Sequence, residues 1–444
     1  MIQIKKYIPL VVFLTMFHII CEAQETIYPA AAQKGSFYIS HATIHVGNGQ
    51  TINDGTIKIT NGKIESVGGN TSTTGGEKVF DATGKHVYPG LISSITNLGL
   101  REVSGSVRGS NDFEEIGDIN PSVRAIVAYN TDSKVIGTLR SNGILLANII
   151  PQDEEGGSNS LLTGSSSVVQ LDAWNWEDAA YKTDGQLHLN MPSLLVRQNF
   201  FTNNAGQTPQ PDPVKIGLER IDKVKTFFKQ AKAYAAENTH SETNLKYASV
   251  KNLFSKKQKL FVHCNTVKEM LLAIDFVTEF GFDVVIVGGS ESWQIAPLLK
   301  QNNIAVILQQ LHSLPQTIDD DVDRPFTTPA VLQRAGVLFA ISDNDGTTRG
   351  RNLMFNAGTA VSYGLTKEEA LSAITLNVAK ILGISDRTGS VEAGKDANIV
   401  ISEGDILDMK TSVIDFAFIQ GRMIDLHNKH TQLYDRYKYK YGLK

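Results

Sequence analysis

The sequence predicts an α/β protein, a closed TIM-like (β/α)8 barrel carrying a small β-sandwich domain built from both chain ends. Three observations predict it. From Pro89 to about Ser385, short apolar or β-branched runs alternate with helical segments. Strands that are apolar throughout, repeated in β-then-α order, imply a parallel sheet, and over this length such a sheet closes into a barrel. On either side of that region the pattern changes to short alternating strands punctuated by Gly turns. Finally, 444 residues with 41% hydrophobic content can bury one large core and a smaller one.

Taken in order, the chain opens like a secretory signal peptide. Lys5 and Lys6 precede the apolar run Tyr7–Ile20, which is short for a membrane span, and Cys21-Glu22-Ala23 then places small residues where a signal peptidase inspects the chain. Residues 1–23 are therefore expected to be removed and the protein exported, periplasmic or extracellular. Lipid anchoring at Cys21 is the alternative, and the bulky Ile20 before it disfavours that route. After cleavage Cys264 is the remaining cysteine, which excludes a disulfide framework and a multi-cysteine structural zinc site. The balance of 42 Lys+Arg against 46 Asp+Glu is mildly acidic and argues against a nucleic-acid footprint.

Residues 24–36 carry no apolar period and are expected to form a flexible lead-in. Phe37–His45, Gly55–Thr60, Lys63–Val67 and Val79–Ala82 read as strands, with Asn61-Gly62 as a tight hairpin turn because both residues tolerate positive φ. Residues 37–86, joined by 388–425 (TGSVEAGKDANIVI and SVIDFAFIQGRMI), form the small domain, and 87–387 form the barrel. Barrel strands are expected at Gly90–Ile95, Ile144–Ile149, Ser167–Leu171, Lys259–His263, Asp283–Val287, Ala305–Leu308 and Leu338–Ser342. Helices are expected at Lys215–Glu237, Val267–Phe280, Trp293–Gln301, Pro329–Ala335, Arg351–Tyr363 and Lys367–Leu382. Residues 426–444, polar, aromatic and basic, read as a surface extension.

Two stretches carry more than fold. Tyr88–Leu100, YPGLISSITNLGL, follows DATGK, and Leu371–Val400 reads LSAITLNVAKILGISDRTGSVEAGKDANIV. Together they resemble the metal-dependent amidohydrolases, specifically the imidazolonepropionase-like, secreted amidohydrolase-related group, over roughly residues 37–425. The resemblance implies hydrolysis of a carbon–nitrogen, non-peptide bond in a small or peptide-like substrate. It also implies one zinc or other divalent ion that activates water, and an aspartate that shuttles the proton. The family's entry motif, PGLID-x-H-x-H, keeps Pro89, Gly90, Leu91 and Ile92 here, but its acidic position is Ser93 and its two metal histidines fall on Ile95 and Asn97.

By the same resemblance His263, in LFVHCN, stands where the fifth-strand histidine belongs, and Asp343, in LFAISDNDG, where the eighth-strand aspartate belongs. These two are the candidate catalytic residues and, if a metal binds, its ligands. The sixth-strand histidine falls on Gly288 in VIVGGSE. No bridging lysine stands out near Leu161–Leu171, LLTGSSSVVQL, which reads instead as a Gly/Ser-rich loop whose backbone N–H groups can cradle a polar substrate. Asn97 and Glu102 are expected to contact substrate, Asn97 because its amide both donates and accepts. His312, His45 and His86 are the remaining candidates for a third ligand. The acidic runs around Glu115 and Asp118 and at Asp319–Asp323 read as solvated loops or hard-cation sites.

A catalytic zinc needs three protein ligands and an open position, and two placed residues fall short of that count. Three readings follow: a hydrolase with an incomplete metal site, a metal-free acid–base catalyst using His263 and Asp343, and an inactive amidohydrolase-fold binding or scaffold protein paired with an active paralogue. A homodimer or a heteromer with a paralogous subunit fits any of them.

Overall fold

The turn expected at Asn61-Gly62 forms, with φ of 49° and 83°, and it joins the antiparallel strands Thr51–Thr60 and Lys63–Gly69. The structure is a computed structural model that describes residues 28–69, 76–102, 112, 115–151, 160–194, 212–237, 239–317, 319–343 and 349–443. The expected signal peptide, with Cys21, lies outside the described residues. Five strands come first: β1 (Ser36–His45), β2 (Thr51–Thr60), β3 (Lys63–Gly69), β4 (Lys78–Asp81) and β5 (His86–Pro89). Eight follow in the middle of the chain: β6 (Leu91–Thr96), β7 (Ile144–Ile149), β8 (Leu162–Gln170), β9 (Ala180–Asn190), β10 (Lys259–Cys264), β11 (Val284–Gly288), β12 (Ala305–Leu308) and β13 (Phe339–Ile341). Three close it: β14 (Ile399–Ser402), β15 (Ile414–Ile419) and β16 (Arg422–Met423).

The first and last groups build one mixed sheet in the order β16-β15-β14-β5-β1-β2-β3, with β4 also on β1. The two chain ends meet at the antiparallel pair β5–β14, where Val400 opposes Tyr88. At the end of β5 the chain passes through Gly90 into β6. A Cβ there would sit 2.6 Å from Leu145 Cδ1, so glycine is what lets the first barrel strand start against β7. Residues 28–35, expected as part of a flexible lead-in, are instead tied down: Ala30 N donates to Asp172 Oδ2 and Gly62 N to Gln33 Oε1.

The middle strands form the second sheet, in the order β13-β12-β11-β10-β9-β8-β7-β6. The parallel sheet expected from the β-then-α pattern holds for every neighbour except β8, which runs antiparallel to both β7 and β9. The segment read as a Gly/Ser-rich loop is β8 itself. It is buried along its whole length and is taken up in two ladders, so its backbone is not free to cradle a substrate. Beyond it, β9 is a strand absent from the sequence reading. Ser166 Oγ donates to Gln186 Oε1 across the β8–β9 pair.

No ladder joins β13 to β6. The seam is bridged by the segment after the helix Lys367–Ser372: Ile341 N donates to Ala373 O and Ile92 N to Ile374 O, while Ser342 Oγ reaches Ile95 O directly at 3.5 Å. The next helix, Leu376–Leu382, then seals the barrel floor. Its Val378, Ile381 and Leu382 pack against the inward side chains Ile92, Leu146, Val168 and Phe261. Its last carbonyls, which no helix can satisfy internally, accept from Lys182 Nζ, Gln186 Nε2 and Lys259 Nζ at the strand beginnings. Burial lowers the pKa of both lysines, yet each still contributes N–H donors where only carbonyls await.

The small sheet is locked to the barrel through Asp396. Its Oδ1 accepts from Lys63 Nζ at 2.8 Å and its Oδ2 from the Tyr181 hydroxyl at 2.6 Å and from Arg387 at 3.2 Å. Burial raises the Asp396 pKa, but the Lys63 and Tyr181 hydrogen bonds and the Arg387 charge outweigh it and hold the carboxyl below the usual range. A group depressed in the folded state adds stability above its unfolded pKa and loses it as pH falls through the folded one. Replacing Asp396 by Asn is expected to cost about 2 kcal/mol at neutral pH. The difference in melting temperature between the two proteins should shrink as the buffer is taken below about pH 4, the ordinary carboxylate range. Thermal denaturation at a series of pH values measures both.

Candidate functional site at the barrel mouth

Parallel strands deliver their C-terminal ends to one face, and the barrel interior changes character toward it. Near the sealed floor the inward side chains are apolar. Toward the mouth they become Ser94, Asn148, His188 and His263, with Asn97 directly after β6 and Asp343 two residues beyond β13.

His263 sits one residue before the end of β10, and pairing with β9 sets His188 opposite Phe261 and Asn190 opposite His263. His188 meets Phe261 edge-on and turns its Nδ1 to His263 Nε2 at 2.8 Å. His188 is fully buried, whereas His263 keeps part of its surface exposed. Burial pushes the His263 pKa down to about 3. Burial first, and repulsion from His263 second, take His188 well below the usual histidine range. Both rings are thus neutral at pH 7, so one donates the shared hydrogen bond and the other accepts it. Either way His188 Nε2 faces no protein partner.

Asp343 is 2% exposed, and its Oδ2 accepts from Asn356 Nδ2 at 3.1 Å. Asn356, from the helix Leu353–Ser362, turns its Oδ1 to the Leu311 N–H and so ties the loop after β12 to the end of β13. Asn97 is 1% exposed, and neither its Nδ2 nor its Oδ1 has a protein partner. Asn148 donates to Ser94 O and leaves its own Oδ1 unmatched. Glu102 spends both carboxylate oxygens on its own loop, accepting from Asn130 Nδ2 at 2.9 Å and Ser133 Oγ at 3.0 Å.

The other histidines considered for a third ligand are engaged by other partners. His312 pairs with Thr359 Oγ1, and His45 bridges Glu368 and His86 beside Tyr88 in the small sheet. The residue that sequence reasoning missed is His188. Its signal was the period-two run LHLN, in which Leu187 and Leu189 point one way and His188 and Asn190 the other.

The donor set does not fit a catalytic zinc. Ile95 packs in the apolar barrel core with Ile92 and Leu146, and Asn97 presents an amide. Gly288 cannot regain a side chain without moving backbone. Its φ is +103°, and a Cβ there would lie 2.5 Å from Asn265 Oδ1 and 2.8 Å from Cys264 O. Among the described residues no three His, Cys, Asp or Glu side chains converge in a way that could hold a metal ion.

Comparison with known proteins agrees with the architecture. Residues 326–424 match the Amidohydrolase family model. The chain is 24% identical over 374 residues to imidazolonepropionase of Thermoplasma volcanium, covering 81% of this chain and 88% of that one. It is 19% identical over 365 residues to Amidohydrolase tasK of Hapsidospora irregularis, of whose length it spans 35%. A crystal structure of an amidohydrolase from Thermotoga maritima MSB8 superposes with a TM-score of 0.74 at 26% identity, covering 88% of this chain and 99% of that one.

The geometry at Gly288 makes a direct prediction. Gly288→Ala is expected to destabilise the protein by about 2 to 4 kcal/mol, from positive φ and the collision with Asn265 and Cys264 together. Gly288→His should be at least as costly and should bind no zinc, as denaturant titration and metal analysis of the two variants will show.

Proposed function

We propose that this chain, a member of the amidohydrolase family with imidazolonepropionase-like homologues, binds a small polar molecule at its barrel mouth through a site that has moved away from zinc chemistry. One observation carries the reading. Where the family places metal ligands, this mouth has an amide with both ends unmatched and, beside the retained histidine, a second ring with one nitrogen unmatched. Each buried polar group without a partner costs about 1 to 3 kcal/mol. A ligand offering one acceptor and one donor to Asn97, and a partner to His188 Nε2, recovers that cost on binding. Because His188 and His263 are neutral at pH 7, they add hydrogen bonding without positive charge, which favours an uncharged amide-like group at this point.

Hydrolysis of a carbon–nitrogen bond is the second reading. What favours it is Asp343, retained at the end of the eighth barrel strand, buried, and oriented by Asn356. In that reading Asp343 takes a proton from the attacking water and returns it to the leaving nitrogen. Export, and assembly as a homodimer or with a paralogous subunit that supplies the missing chemistry, belong to the binding reading as further proposals.

Metal content decides between the two. Protein purified without a tag, and again after incubation with zinc, is expected to hold far less than one equivalent by mass spectrometry, with no difference between wild type and His263→Ala. Near-stoichiometric zinc that falls in His263→Ala would sink the binding reading and return the protein to hydrolysis of amides and lactams.

A further inference from the structure

A cavity of about 170 Å³ lies at the ends of β11 and β12, bounded by Gly288 from one and by Leu308–Leu311 from the other. It begins where the family's sixth-strand histidine is missing. Cavities of about 150 Å³ hold one benzene-sized molecule, so this one suits a group of a few heavy atoms.

Its polar lining is distinctive. Arg324 is the first residue of the helix Arg324–Arg334, and its guanidinium lies over the Trp293 ring at 4.2 Å, which holds the cation in place. Nη2 donates to Asp321 at 2.6 Å, while Nε has no acceptor. Asp320 lines the same cavity, and among the described residues it pairs neither with Arg324 nor with any other cation. Gln309 and Gln310 are half-buried on the opposite wall, with side-chain amides that engage no described protein group. Arg324 pairs with Asp321 yet keeps donors beyond that bond, and Asp320 faces the same cavity without a described cation of its own, which leaves room for a ligand bearing both charges.

We propose that this cavity is a subsite for the zwitterionic head of an amino acid or of a small amino-acid derivative. Arg324 receives the carboxylate, Asp320 the ammonium, and the amides of Gln309 and Gln310 the polar groups between them. The apolar walls of Leu308, Leu311 and Leu314 take an aliphatic side chain. Arg324 and Asp320 are then specificity-determining residues. The proposal deepens the small-molecule reading of the mouth and rests on it.

Isothermal titration of the protein with L-leucine, N-acetyl-L-leucine and L-leucinamide tests it. L-leucine is expected to bind at least about tenfold more tightly than either blocked form. Arg324→Met, which keeps the stem over Trp293, should erase the preference over the amide only. Asp320→Asn, a half-buried loop position, should erase the preference over the acetyl form only. Equal binding of the three compounds, preferences unchanged in both variants, or no binding of any of them to a zinc-free, folded wild type each overturns the subsite. Stoichiometric zinc with the leucine preference intact would overturn the binding reading of the mouth and leave the subsite standing.

Discussion

The structure depends on how the floor of the barrel is closed. A barrel interior buries every polar group that enters it, and the end of a helix brings at least four carbonyls with no intrahelical partner. The helix Leu376–Leu382 enters that interior and remains there because Lys182, Gln186 and Lys259 rise from the strand beginnings to meet its last carbonyls. The turn just before it, Ala373–Ile374, bridges the strands β13 and β6 that do not pair with each other. One segment thus closes the cylinder laterally and from below and leaves the other end open, where Ser94, Asn148, His188 and His263 point inward.

That division separates the packing that holds the barrel from the polar residues at its mouth. The apolar layer of Ile92, Leu146, Val168 and Phe261 lies beneath it, and Ile95 joins the same core. At Gly288 the backbone takes a conformation that only glycine holds easily, and Asn265 fills the space a side chain would need. His263 has not been left idle. Its ring is held by His188 from the neighbouring strand, and their burial keeps the pair uncharged.

Much of the fold was legible in the order of residues. The run from Leu371 to Val400 and the PGLI entry identify the frame, and Val267–Phe280 and Ile144–Ile149 fall where periodicity places them, because the first is a long amphipathic run and the second is apolar but for Asn148. What was not legible is the first half of β8, of which only Ser167–Leu171 is expected as strand, and the whole of β9. Their inward positions include Ser166, Gln186, His188 and Asn190, and apolar alternation is confined to the short run LHLN, too brief to mark a strand of this length. The loss of β9 from the reading hid His188 with it, and the direction of β8 is decided by pairing alone.

The sequence by itself determined which side chains stand at three positions of the mouth, Ile95, Asn97 and Gly288, and none of them is an imidazole. It also determined that His263 and Asp343 stand at strand ends, since both close apolar runs. Only the tertiary structure decided what these residues do there. Whether His263 faces a metal or another ring depends on the register of β9 against β10, and whether Asn97 is satisfied depends on what surrounds it across the barrel. Register and burial are set by contacts between residues distant in the chain, and those contacts, not residue identity, fix which polar atoms are left for a ligand.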